Sequence, residues 1–212
     1  MDIHPPQRHV RSLKEFFREL LTITAGILIA LSLNGILDWR HHRDLVREAR
    51  ANIVSELQGN QRVLSTELHD LDRMEGQVRA LITLVHQLEA APDQVVHSVP
   101  YAWSLAELHA TSWNTAQRTG ALSYMPYEEV KRYTAVYDFQ SDFQTVQQRG
   151  FGASLDVGGL QTLLGRNARM LNQTDLSDAE RKLGVAQANV GALKEFASSL
   201  QRLYTQVLGA QQ

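Results

Sequence analysis

Leu20–Leu37 reads LLTITAGILIALSLNGIL, 18 consecutive residues without a charge. At about 1.5 Å per residue a helix of this length covers roughly 27 Å, close to the thickness of a bilayer's hydrocarbon core. Phe16 and Phe17 stand at one border and Trp39 at the other, where interfacial aromatics belong. Arg18 and Arg40 are placed to carry their charges to headgroups on apolar stems. Ser12-Leu13-Lys14-Glu15 is a capping-box pattern and predicts a helix start near Leu13. A cleaved leader needs a small-x-small site soon after its apolar run, and Asp38-Trp39-Arg40-His41-His42-Arg43 follows instead. A buried core helix is seldom apolar on every side over this length. The stretch is therefore read as a retained transmembrane helix at 20–37, preceded by a basic tail and helix start at 1–19 and followed by a domain at 38–212.

The flanking charges leave the orientation open. Arg8, Arg11, Lys14 and Arg18 precede the span, and Arg40, Arg43, Arg47 and Arg50 follow it, so the positive-inside rule sees a tie. A short basic tail ahead of a first span ordinarily stays in the cytoplasm, which puts the C-terminal domain outside. Thr22, Gly26, Ala30 and Asn34 recur at i, i+4 and so share one face of the span. Small residues at this spacing let helices approach closely, and Asn34 can hydrogen-bond across a helix pair. The plainer reading is that such residues are ordinary in membrane helices.

Beyond the span the composition is that of a helical, water-compatible chain. Five prolines and 13 glycines in 212 residues are few for an all-β protein, and mean hydropathy is negative. A formal charge of -2 gives no basic surface for nucleic acid. Cysteine is absent, which removes disulfides and thiolate metal sites. Val46, Ala49, Ile53, Leu57, Leu64, Leu68, Leu71, Met74, Val78, Leu81, Val85 and Leu88 follow three- and four-residue steps, with Asn60 in one apolar slot. No proline interrupts from Gln7 to Ala91, so the span and this stripe are expected on one long helix that tolerates Gly59 and Gly76 and ends at Ala90-Ala91-Pro92-Asp93.

After a connection at Asp93–Pro100, a short helix is expected around Tyr101–His109. A second, N-capped by Thr111-Ser112, would run to about Arg118 and close at Gly120. Pro126 suits the first turn of a helix from Tyr127 that turns Val130, Tyr133, Tyr137 and Phe143 to a core. Gly150, Gly152, Gly158, Gly159 and Gly165 make its end either a loop or a glycine-thinned helix. Leu155, Leu160, Leu163, Leu164, Ala168 and Leu171 keep helical spacing and favour continuation. Asn172–Leu176 reads as a turn and Ser177-Asp178-Ala179-Glu180 as a second capping box. The final helix then runs to about Leu208 with Leu183, Ala186, Val190, Leu193, Ala197, Leu200, Tyr204 and Val207 on its stripe. No stretch alternates at period two for long. The fold class is all-α: a transmembrane helix continuing into an elongated antiparallel helical bundle.

Residues able to carry chemistry are dispersed. His41 and His42 are neighbours that diverge on a helix, so they read as part of a basic collar; a ring of them at a pH-sensitive pore mouth is the sharper alternative. His69 near Asp70 and Asp72, and Glu107 with His109 at i, i+2, do not make the Glu-x-x-His pairs of a di-iron bundle. There is no nucleophile elbow, phosphate-binding loop or dinucleotide fingerprint. No catalytic residue, cofactor site or metal ligand is assigned. The one crowded spot is Trp113, Asn114 and Arg118 with Tyr133 and Tyr137, near Tyr124 and Tyr127. It is either a lined pocket for a small ligand or an aromatic plug between helices.

The run GILIALSLNGILDWRHHR (Gly26–Arg43), together with Ser112–Leu122, SWNTAQRTGAL, and the Tyr-bearing helix after it, resembles a bacterial family of single-span helical membrane proteins of unknown function. Its members have a short tail, a span of the form GILIAL-x-hydrophobic-N and a charged helical domain. The resemblance covers most of the chain. It implies the same architecture in a bacterial inner membrane and supplies no catalytic residues. The functional expectation is a non-enzymatic, membrane-anchored scaffold or accessory subunit. Its partners would be the lipid bilayer and either further copies of itself or another membrane protein. Two other readings stay open. One is an extracytoplasmic small-ligand sensor acting through a partner, since the tail ahead of the span is too short to hold a signalling domain. The other is an oligomeric channel with Thr22 and Asn34 facing a pore.

Overall fold

The computed structural model describes residues 13–91, 99–166 and 171–210, those at 161–166 by backbone alone. Four helices account for most of them: α1 Leu13–Ala90, α2 Thr111–Arg118, α3 Tyr127–Arg166 and α4 Gln173–Gly209, with a 3-10 turn at Ala121–Tyr124. No strand occurs among the described residues. The chain divides into two compact units, residues 1–48 and 49–212. Over the described residues α1 is one uninterrupted helix from Leu13 to Ala90, and neither Gly59 nor Gly76 breaks it. Ser12, the expected cap, lies outside the described residues.

In the first unit every residue from Leu20 to Leu37 is exposed, although the run is long and apolar enough to cross a membrane. Two of its hydroxyls bond within their own helix: Thr22 Oγ1 donates to Arg18 O at 2.8 Å and Ser32 Oγ to Leu28 O at 2.7 Å. That is how a hydroxyl is satisfied where no water is at hand. At the far border the Arg43 guanidinium lies 5.2 Å from the centre of the Trp39 ring, within reach of a cation–π attraction.

The second unit packs the rest of α1 against α3 and α4. Buried positions in α1 run Ile53, Leu57, Asn60, Leu64, Glu67, Leu71, Met74, Val78, Leu81, Val85 and Leu88, strictly alternating four- and three-residue steps. In α4 they run Leu176, Ala179, Leu183, Ala186, Val190, Leu193, Ala197, Leu200, Tyr204 and Val207 by the same rule. This is the heptad spacing of knobs-into-holes packing. Every residue of the predicted α4 stripe is buried.

The bonds between helices give their directions. Arg50 meets Glu129, Asn60 meets Gln140 and Glu56 meets Tyr137, at separations of 79, 80 and 81 residues, so α1 and α3 run parallel and in register. Gln61 meets Thr205, Glu75 meets Lys194 and His86 meets Glu180, so positions fall in α4 as they rise in α1, and α4 is antiparallel to it. Two parallel helices need a return between them. Here the segment Val99–Ala110 makes it as an extended strap, followed by α2, the 3-10 turn and Pro126.

The strap corrects the expected helix at Tyr101–His109. Ala106 and Leu108 are buried and Ser104 and Ala110 partly so, while Leu105, Glu107 and His109 are exposed, which is the alternation of an extended chain. A lone extended segment has no neighbouring strand for its peptide groups, so another partner must supply their hydrogen bonds. Three other boundaries shift for definable reasons. Ala110, not Thr111 or Ser112, stands at the N-cap of α2 and makes no side-chain cap; the Ser112 N–H donates instead to Glu56 Oε2 of α1 at 2.8 Å. α4 starts a turn earlier than expected, because Asn172 and Asp175 form the capping box that the sequence pattern assigns to Ser177-Asp178-Ala179-Glu180. Asp178 pairs with Arg181 and Lys182 instead. The predicted turn at Asn172–Leu176 is thus helical from Gln173. α3 continues as a helix through its glycines to Arg166, as the leucine spacing favours; the side chains of Leu163, Leu164 and Ala168 lie outside the described residues.

Gly120 closes α2 with φ 75°, a left-handed conformation in which a Cβ is strained. Gly150 answers a different need. A Cβ there would come 2.8 Å from Trp103 Cη2, so the missing side chain is the seat of the strap's tryptophan ring on α3.

Candidate functional site

The polar groups of the second unit gather around the strap. Side-chain amides from α1 and α3 bind its backbone as a neighbouring strand would. Asn60 Nδ2 donates to His109 O at 2.7 Å and Asn60 Oδ1 accepts from His109 N at 2.9 Å. Gln147 does the same for Ala106, accepting from its N–H and donating to its C=O, both at 3.2 Å. Gln140 Nε2 donates to His109 O at 3.0 Å and Gln144 Nε2 to Leu108 O at 2.9 Å. Gln77 Oε1 accepts from the Ala102 N–H at 3.2 Å. Ser104 Oγ lies 2.9 Å from Glu67 Oε2 and 3.1 Å from Asp70 Oδ2.

Asn60 and Glu67 in α1, and Gln140 and Gln147 in α3, are each one heptad apart and all buried at core positions. Polar groups sit where the packing rule asks for apolar ones because the strap lies against them, its peptide groups on Asn60, Gln140 and Gln147 and its Ser104 hydroxyl on Glu67.

A second network lies at the α2 end. Glu56 Oε1 accepts from Tyr137 Oη at 2.7 Å. Its other oxygen takes the Ser112 N–H, so one carboxylate caps a helix and anchors a phenol. Burial first, and then the hydrogen bond to Glu56, holds the Tyr137 hydroxyl well above its ordinary pKa. Tyr204 Oη donates to Gln140 Oε1 at 2.6 Å, and burial raises its pKa also. Arg50 forks onto Glu129, Nε to Oε1 at 2.6 Å and Nη2 to Oε2 at 2.8 Å. Such two-point contacts between ionised groups are the strong class of hydrogen bond. That hydrogen bond is the main reason the Glu129 carboxyl lies below the usual range and the Arg50 guanidinium above its own.

The predicted aromatic cluster divides. Trp113 stacks on Tyr137 with ring centres 5.2 Å apart and meets Tyr133 at 6.3 Å, and all three are buried. Asn114 and Arg118 are exposed and take no part. The rings pack on one another, so they fill space rather than line it. A shallow open groove borders them, lined by Glu56, Gly59, Asn60, His109 and Thr111. Glu56, which sequence reasoning did not single out, organises the site; its place beside the stripe on a helix of mixed charge gave no signal. Thr22, Gly26, Ala30 and Asn34 all lie exposed in the first unit.

No group of three or more His, Asp or Glu residues able to hold a metal ion occurs among the described residues. Chemically, the arrangement holds peptide and aromatic groups in place through closed hydrogen-bond pairs. No protein-family model, curated protein or solved structure matches the chain.

Proposed function

We propose that the protein is a membrane-anchored, non-enzymatic helical scaffold or accessory subunit that acts as an oligomer or within a larger membrane complex. The observation that carries this is the uncovered, charge-free surface of Leu20–Leu37 in one unit, while the other unit buries a heptad core of its own. Exposed apolar surface on this scale calls for lipid or a protein partner. Gly26 and Ala30 offer close helix approach and Asn34 a polar contact, while the Thr22 proton is directed along its own helix. The resemblance of Gly26–Arg43 and Ser112–Leu122 to single-span bacterial proteins supports an inner-membrane location, and the short basic tail ahead of the span favours the C-terminal unit on the periplasmic side.

The sensor reading gains little, since Trp113, Tyr133 and Tyr137 fill their own space. A channel has no supporting observation. The test is extraction from the native membrane in mild detergent, followed by the mass and composition of the particle. A discrete oligomer or one stable partner is expected; a clean monomer overturns the proposal. The chain has no cysteine, so Asp142→Cys introduces a single label site. A membrane-impermeant thiol reagent should reach it in intact spheroplasts, and protection there would reverse the orientation.

A further inference from the structure

The middle of the strap is held by a contact that is one hydrogen short. Ser104 Oγ lies within hydrogen-bond distance of both Glu67 Oε2 and Asp70 Oδ2, at 2.9 and 3.1 Å. A hydroxyl has one proton to donate. With both carboxylates ionised, only one contact is a hydrogen bond, and the other sets a hydroxyl lone pair against a negative charge. Glu67 is 4% exposed and occupies a core position between Leu64 and Leu71. The described neighbours do not relieve it. Asp70 is itself paired with Arg73. From α3, Gln147 meets the strap two residues further on, with both ends of its amide committed to Ala106. From α4, Lys194 is engaged by Asp72 at 2.6 Å and Glu75 at 2.9 Å.

We propose that Glu67, Ser104 and Asp70 form a proton-dependent clasp on the strap, closed when Glu67 is protonated. With a proton taken from solvent, the Glu67 carboxyl O–H donates to Ser104 Oγ. The Ser104 O–H donates to Asp70 Oδ2, and Asp70 still accepts from Arg73. Every contact then carries a hydrogen. Loss of that proton leaves one contact repulsive and a buried charge without a cation among the described residues, and the strap's hold on α1 loosens. The protonation balance of Glu67 agrees in direction. Burial pushes its carboxyl above the usual range, the Ser104 hydrogen bond opposes this, and the Asp70 charge adds to it. For a raised carboxyl the stabilisation is fully present below the ordinary value of 4.5 and is lost as pH rises through the folded value.

The experiment compares the full-length wild type with Glu67→Gln in detergent, from about pH 4, within the ordinary carboxyl range, up to about pH 8. Gln is isosteric and supplies an N–H to Ser104 at every pH. The readouts are Tm and amide hydrogen exchange in residues 99–110 relative to α4. Other carboxylates titrate alike in both proteins and cancel in the difference. Near pH 8 the variant should melt about 2–4 °C higher and its strap should exchange several-fold more slowly. Both differences should close near pH 4. Asp70→Asn relieves the same shortage from the other side and should reduce the pH dependence of strap exchange, leaving the part that comes from the burial of Glu67. Retention of that dependence in both variants, or a difference that does not change with pH, overturns the clasp.

Discussion

Asn60 holds the peptide unit of His109 with both halves of its amide, donating to the carbonyl at 2.7 Å and accepting from the N–H at 2.9 Å. A residue in a core slot of α1 thus recognises backbone 49 residues further on. Asn60→Leu would complete the apolar stripe, yet it is expected to destabilise the protein by about 1–3 kcal/mol, because it removes the acceptor from a partly buried N–H and one of two donors from the carbonyl. Urea unfolding measures this, and a raised midpoint would show that the strap does not depend on the amide.

The seat of Trp103 on Gly150 predicts a size-dependent pair. Gly150→Ala places a Cβ 2.8 Å from the Trp103 ring. Overpacking of that kind should cost about 1–3 kcal/mol. In a Trp103→Leu background the added methyl has room, so its cost should fall toward zero. A double-mutant cycle reads the coupling; strict additivity would mean the ring does not occupy that position.

Acid should weaken the Arg50–Glu129 fork while it closes the Glu67 clasp. Glu129 has a lowered folded pKa, so its contribution is present above the ordinary carboxyl value and is lost as pH falls through the folded one. The Arg50 side chain is 41% exposed. Solvent screening therefore limits the contribution to about 1 kcal/mol. Glu129→Gln should lower Tm at neutral pH and leave it nearly unchanged in strong acid. A constant Tm loss across that range would assign the effect to packing.

The two units should separate by solubility. A chain beginning at Ala49 is expected to stay in solution without detergent and to give a helical circular dichroism spectrum, because the heptad core lies within 49–212. In the full chain, Leu28→Arg places a charge mid-span at a cost of about 2.5–3.5 kcal/mol and should shift the protein out of the membrane fraction. Sedimentation of membranes followed by detection of the protein checks both.

Much of this fold was legible because two helices obey one packing rule. The α4 stripe from Leu183 to Val207 could be read residue by residue, and the Tyr127 helix start likewise. In α1 the spacing permits either Glu67 or Leu68 between Leu64 and Leu71. Hydropathy selects the leucine, and the structure buries the glutamate because Ser104 meets it there. The strap itself escaped, since its inward positions are few and the side chains that bind it lie far off in the chain. Its trace was nonetheless present as the heptad pairs Asn60/Glu67 and Gln140/Gln147, polar residues repeating in apolar slots. Of the aromatic cluster, Trp113, Tyr133 and Tyr137 meet as their crowding suggested. Asn114 and Arg118 do not, because α2 turns only one face inward.

The parallel register of α1 and α3 has a consequence for the order of assembly. α3 and α4 are joined by a short connection and can pair as a local hairpin. Each bond from α1 to α3, by contrast, closes a loop of about 80 residues, which is entropically dearer and slower to form. The helix that leaves the ribosome ahead of the other three is therefore the last to be covered by another helix. Its stripe from Ile53 to Leu88 waits for the rest of the chain, and pulse-labelled amides in that stretch should gain protection after those of α3 and α4.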